Sequence, residues 1–255
     1  MSALLNYKQE GQGQTVVLIH GLFGSLSNLG LLARDLVQDY SVISIDLRNH
    51  GLSFHSDTHT YTEMAQDVAE LLRHLNIEPS IIIGHSMGGK VAMKLVDIAP
   101  QFVEQLVVLD IAPVAYTTNR HENVFNGLQA VIAQKPTSRQ QAMDVLAQHV
   151  EIDGVRQFLS KSLYKEGDTM AWRFNVESLL ANYAEIIGWQ EIAATEIPTL
   201  FIKGGESDYL MPEHQPAVQR QFKQAKAHII ANTGHWLHAE KPGEVMRVIR
   251  KYISG

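Results

Sequence analysis

The chain predicts an α/β fold with a mostly parallel central sheet and helices on both of its faces. Two observations carry this expectation. Short apolar runs rich in Val and Ile alternate with stretches whose apolar residues recur at helical spacing. Several of these runs are apolar throughout, as strands are when helices cover both faces of their sheet.

Taken in order, residues 3 to 8 and 15 to 20 read as strands, with Glu10-Gly-Gln-Gly-Gln between them as a hairpin turn. Ser25 or Ser27 is placed to cap a helix whose apolar positions include Leu29, Leu32, Leu36 and Val37. Val42 to Asp46 is the next strand, followed by the loop Leu47-Arg-Asn-His-Gly-Leu-Ser53. A helix is expected from Thr62 to about Leu75, with Met64, Val68, Leu71 and Leu72 on one face. The Ile81 strand leads to a helix that Pro100 ends, and Leu106 to Asp110 forms another strand. From about Ala115 to Gly188 helix-like segments follow one another without a convincing buried strand. Alternation resumes with Thr199–Lys203, a helix near 213 to 224, Ala227–Ala231 and a final helix from Pro242 to Tyr252. This predicts two core segments, 1–114 and 189–255, and a helical cap at 115–188. The cap is expected over the carboxyl edge of the sheet, where open α/β folds bind ligands.

Length, charge and composition bound the function. A chain of 255 residues can bury one large core. Its 45% hydrophobic and 19% charged content is that of an ordinary globular protein. A net charge of −6 gives no electrostatic ground for binding nucleic acid or anionic membrane. With no cysteine, disulfides, thiolate catalysis and Cys-ligated metal sites are excluded. The start, Met1 to Lys8, lacks the pattern of a signal peptide, and no apolar run is long enough to span a bilayer. A cytoplasmic protein without stable membrane insertion is expected.

The chemistry centres on Ile81-Ile-Ile-Gly-His-Ser-Met-Gly-Gly89. Gly84-His-Ser-Met-Gly88 fits G-x-S-x-G, a tight strand-to-helix turn that holds Ser86 at its tip. The same residues, through Lys90, fit most of a phosphate-binding G-x-x-x-x-G-K loop, with Asp110 as a magnesium-holding acid at the end of an apolar strand. That reading requires Ser or Thr after the lysine, and the chain has Val91. It also leaves His20-Gly-Leu-Phe-Gly24 and His235 without a role, so it fails.

A serine needs a base, and His235 follows the last strand, in Asn232-Thr-Gly-His-Trp. Alone it would be an ordinary loop histidine; after an elbow, in the order Ser…Asp…His, it becomes the base. Two aspartates qualify as the acid that orients it. Asp110 ends the Leu106 strand and Asp208 follows the Thr199 strand, and spacing does not separate them. The bland alternatives are a cap or loop anchor for Asp110 and a turn residue for Asp208. The oxyanion donors are expected to be the backbone amides of Met87 and Leu22, with Phe23 in reserve. His55/His59 and His235/His238 lack a third ligand, so no metal is expected. Arg48 and His50 read as loop anchors, and Trp172, Phe174 and Trp189 as residues that pack the cap.

Six stretches together resemble the α/β-hydrolase superfamily over nearly the whole chain. They are His20-Gly-Leu-Phe-Gly-Ser, Asp46-Leu-Arg-Asn-His-Gly-Leu-Ser, Gly84-His-Ser-Met-Gly-Gly-Lys, Asp110-Ile-Ala-Pro, Trp172-Arg-Phe-Asn-Val and Gly234-His-Trp-Leu-His-Ala-Glu-Lys-Pro. The resemblance implies the α/β-hydrolase fold, with a helical cap inserted after the sixth strand. It implies a serine carboxylesterase with Ser86 as nucleophile, His235 as base and no cofactor. It favours Asp110 as the acid, because bacterial esterases carrying the Asp-Ile-Ala-Pro stretch use that residue, whereas most of the superfamily uses the position matched by Asp208. The expected partner is a small-molecule ester of a small or fatty acyl group, with acyl-CoA thioesters as a second class. The competing readings are a C–C bond hydrolase on the same triad and a ligand sensor that turns over slowly.

Overall fold

The computed structural model describes residues 3–254; Met1, Ser2 and Gly255, at the outer ends of the two expected core segments, lie outside the described residues. Five strands come first: β1 (Tyr7–Glu10), β2 (Thr15–Ile19), β3 (Ser41–Ile45), β4 (Ser80–His85) and β5 (Val103–Leu109). Between them lie α1 (Gly30–Leu36), α2 (Tyr61–His74) and α3 (Met87–Ile98). After the next block come β8 (Thr199–Gly204), α9 (Gln215–Gln221), β9 (Ala225–Ile230), α10 (Leu237–Glu240) and α11 (Pro242–Ile253). Among the described residues the main sheet has seven strands in the order β1-β3-β2-β4-β5-β8-β9, parallel except for β1.

Strand alternation sorts the core into two layers. Val17, Ile19, Ile82, Leu106 and Val108 face α2 and α3, while Val16, Leu18, Ile81, Ile83 and Val107 face α1 and α11. Helix α2 starts one residue before Thr62 because Thr60 caps it: its hydroxyl accepts from the Glu63 amide, and the Glu63 carboxylate accepts from the Thr60 amide.

The expected hairpin between the first two strands does not form. β1 pairs antiparallel with β3, because β2 already has both edges occupied by β3 and β4. The large insertion also follows the fifth strand rather than the sixth, since no further apolar run lies between β4 and β5. It carries α4 (Glu122–Gln134), α5 (Arg139–Ala147), α6 (Asp153–Ser160), α7 (Val176–Ala181) and α8 (Tyr183–Ile187). It is not wholly helical: β6 (Leu163–Glu166) and β7 (Thr169–Trp172) form a small hairpin, whose four-residue strands are largely outside the core.

The insertion shares the α2–α3 core layer through Phe125, Leu128, Leu146 and Leu179. Phe23 of the β2 loop meets Phe125 and Phe174, each at 5.3 Å between ring centres. Trp172 stacks on Phe174 and donates to the Leu128 carbonyl, and Trp189 donates to Gln221. Asn49, in the loop after β3, accepts from the Asn175 amide and donates to Ser178. No helix among the described residues is long and apolar enough to cross a membrane.

Candidate active site

Strand β4 delivers Ser86 and helix α3 leaves from it. Ser86 has φ 54° and ψ −123°, a sparsely populated conformation that costs about 1–3 kcal/mol and persists because its surroundings fix it. Its amide donates to the Leu109 carbonyl of β5, and its own carbonyl accepts from Gly89 and Lys90. The flanking glycines are needed for space. A Cβ on Gly84 would lie 2.3 Å from the Gly88 carbonyl oxygen, and one on Gly88 would lie 2.3 Å from the carbonyl oxygens of Ile19 and His20. The lysine of the failed phosphate-loop reading is buried, and it donates to the Gly188 carbonyl at 2.9 Å instead of cradling an anion.

The structure brings Ser86, His235 and Asp110 into one hydrogen-bonded chain. His235 Nε2 lies 2.8 Å from Ser86 Oγ, and its Nδ1 lies 2.7 Å from Asp110 Oδ2. Asp110 is fully buried directly after β5. Its amide donates to Ile202, its Oδ1 accepts from the Gly204 amide at 2.9 Å, and its Oδ2 also accepts from the Ser207 hydroxyl. These donors stabilise a carboxylate that burial would otherwise penalise. Asp208 is not brought to the imidazole. Its side chain is 67% exposed and pairs with Arg120, whose guanidinium holds the carboxyl below the usual range.

His235 is held by Tyr209 and His85. Tyr209 stacks on its ring at 3.9 Å, and His85 packs against it at 4.8 Å. The His85 Nε2–H donates to the His235 carbonyl, which fixes the loop after β9.

Leu22 and Met87 both border the space next to Ser86. Met87 opens α3, so its amide has no acceptor within the helix. Phe23, the reserve donor, is excluded: its amide already donates to His50 Nε2. Two buried histidines thus shape this loop from beneath. His50 Nδ1–H donates to the Arg48 carbonyl; His20 Nδ1–H donates to Gly21, and His20 Nε2 accepts from Leu47. Burial lowers the pKa of both rings, so they act as neutral struts. Arg48 anchors the same loop through a two-pronged contact with Asp67.

Sequence reasoning missed Ser207, Tyr209 and His85 as supports of the acid and base, and it missed His121, which lines the space at Ser86. For His85 the signal lay inside the G-x-S-x-G motif; for the others only tertiary packing supplies it. His55 and His59 diverge: His59 is buried beside Asn49, while His55 faces the Arg173 carbonyl. Among the described residues no cluster of three or more His, Asp or Glu is arranged to hold a metal ion.

Residues 14–242 match the family model described as alpha/beta hydrolase fold. The chain is 47% identical to esterase YbfF of Escherichia coli, over 94% of this chain and 92% of that protein. It is 38% identical to an sn-1-specific diacylglycerol lipase, ABHD11, of Mus musculus, over 94% of this chain and 80% of that one. Among solved structures, a marine microorganism esterase superposes with a TM-score of 0.94 at 33% identity, covering 98% of this chain and all of the other. Sheet order, elbow and family match agree, and the chain belongs to the α/β hydrolase fold family.

Proposed function

We propose that the protein is a serine carboxylesterase, hydrolysing esters by acyl transfer through Ser86. The unbroken chain Asp110–His235–Ser86, with contacts of 2.7 and 2.8 Å, carries this reading. His235 Nε2 takes the Ser86 proton as the hydroxyl oxygen attacks the ester carbonyl. Asp110 keeps the other imidazole proton on Nδ1 and stabilises the imidazolium. The amides of Leu22 and Met87 receive the oxyanion. His235 returns the proton to the departing alcohol, then activates the water that releases the acid.

Relatives named esterase and diacylglycerol lipase support an ester of a small or fatty acyl group as substrate; residues 115–188, inserted between β5 and β8, are read as the cap above it. Acyl-CoA thioesters are open to the same chemistry.

An active-site-directed phosphonate is expected to label the protein and to leave Ser86→Ala unlabelled; equal labelling of both removes Ser86 from the mechanism. Sustained turnover of p-nitrophenyl esters of graded chain length is expected. A single slow turnover with retained product would instead identify a ligand sensor.

A further inference from the structure

Two cavities meet at Ser86. The larger, about 330 Å³, is walled by His235, Trp236, Phe158 and Val155. The smaller, about 40 Å³, runs past Met87 to Lys90, between Tyr116 and Tyr209. Three residues border both: Leu22, Ser86 and His121. The first two belong to the proposed machinery. His121 enters from the insertion, immediately before α4.

This sharing assigns His121 a target. An ester whose two halves occupy the two cavities presents three atoms at their junction: the carbonyl carbon, the carbonyl oxygen and the alkoxy oxygen. Ser86 faces the carbon, and the Leu22 amide faces the carbonyl oxygen. The alkoxy oxygen remains. His235 lines the larger cavity and not the smaller, so the alcohol half, which His235 must protonate, is seated in the larger one, and the smaller one takes the acyl half of a small-acyl ester.

The imidazole is prepared to donate. Its Nδ1 lies 2.8 Å from the Tyr183 hydroxyl. A tyrosine hydroxyl can donate to an unprotonated ring nitrogen, so Nδ1 can serve as the acceptor in this contact. We take that tautomer, with the ring hydrogen on Nε2. Burial and the nearby His235 lower the His121 pKa to about 4, so the ring stays neutral. It is therefore a donor and not a second base. An edge contact with Phe23, at 6.0 Å, fixes its plane.

We propose that His121 is a catalytic residue supplied by the insertion, whose Nε2–H donates a hydrogen bond to the ester's alkoxy oxygen as that oxygen leaves. The proposal rests on the serine-ester reading. In acylation the bond from Ser86 Oγ to the carbonyl carbon forms and the bond from that carbon to the alkoxy oxygen breaks. The proton lost by Ser86 reaches the alkoxy oxygen through His235, and His121 keeps its own. Because the donated bond strengthens as negative charge builds on the oxygen, its contribution is greatest for alcohols that leave poorly.

The test compares kcat/KM for a p-nitrophenyl ester and for an ethyl ester of the same acid, in wild type, His121→Phe, His121→Gln and Tyr183→Phe. His121→Phe is expected to lose about tenfold or more on the ethyl ester and less than about threefold on the p-nitrophenyl ester. His121→Gln, whose amide N–H reaches the same region, is expected to recover most of that loss. Tyr183→Phe, which frees Nδ1, is expected to fall between them. Equal losses on both esters, or none on the ethyl ester, overturn the proposal. If His121→Phe does not fold, Tyr183→Phe carries the comparison by the same leaving-group contrast. Phosphonate labelling of Ser86 in each variant separates the two readings: loss of the leaving-group contrast with labelling intact defeats only the role of His121, whereas failure of wild type to be labelled defeats the serine mechanism itself.

Discussion

Asp110 and Asp208 carry the same group, and their positions along the chain gave both a path to one imidazole. Burial divides them: Asp110 has no exposed surface and three donors, while Asp208 lies in solvent against Arg120. Asp110→Asn would replace an acceptor at His235 Nδ1 by an amide that can donate, favouring the wrong imidazole tautomer. It is expected to lower kcat roughly a thousandfold or more, as comparable triad changes do. Asp208→Asn is expected to stay within about threefold, because an exposed ion pair contributes little. Steady-state kinetics of the two variants decide, and the reverse ranking would return the role to Asp208. Ser86 and His235 were legible as the proposed nucleophile and base because their patterns are short and local. Spacing alone did not separate the two acids, since the choice depends on which strand end the last loop folds against; only the family resemblance favoured Asp110. His121 was illegible for the same reason: one histidine in a polar loop has no period or motif to mark it.

At the level of elements, α3 joins the elbow to the insertion. Lys90 lies one turn beyond Ser86 in α3, buried among Tyr61, Tyr116 and Trp189, with no carboxylate ion pair among the described residues. Its ammonium donates to the carbonyls of Ile187 and Gly188, which cap the end of α8. Burial lowers its pKa to about 7 from an ordinary value of 10.5. Between those two values the unfolded chain holds a proton that the folded chain lacks, so stability rises with pH. Urea unfolding from pH 7 to 9 is expected to show a slope approaching 1.4 kcal/mol per pH unit at most, where about 1.4 is the value of one full proton. Lys90→Met is expected to abolish that contribution; an unchanged slope would mean that the ammonium stays charged when buried. Elements with dense apolar runs, β2, β4, β5 and β8, were readable in sequence because burial on both faces leaves a compositional mark. β1 was misassigned to β2 because its own residues are exposed and do not encode which edge they will meet. The β6–β7 hairpin escaped notice because its strands are short and mostly outside the core.

Across the whole molecule, a set of buried neutral histidines underlies the site. Burial lowers the pKa of His59 and His238 to about 3 and of His121 to about 4, and it lowers those of His20, His50 and His85 as well. Each is protonated in the unfolded chain near its ordinary value of about 6.5. Their stabilisation is therefore complete above that value and is lost as pH falls toward the folded-state values. The urea midpoint is expected to fall between pH 7 and pH 5, before most carboxylates titrate. His59→Gln is expected to flatten part of that fall, and a midpoint constant across the interval would contradict it.

The fold also separates what must stay fixed from what can vary. The chain leaves the sheet just after Asp110 and returns on β8, and Gly204, at the end of that strand, donates its amide to the same carboxylate, 94 residues away. The carboxylate is thus held between the strand that precedes the insertion and the strand that follows it. Lengthening a closed loop adds only about 0.6 kcal/mol of entropy per doubling. Descendants of this chain can therefore gain, lose or rebuild residues in the insertion, changing which esters reach Ser86, while the carboxylate that serves His235 remains where it is.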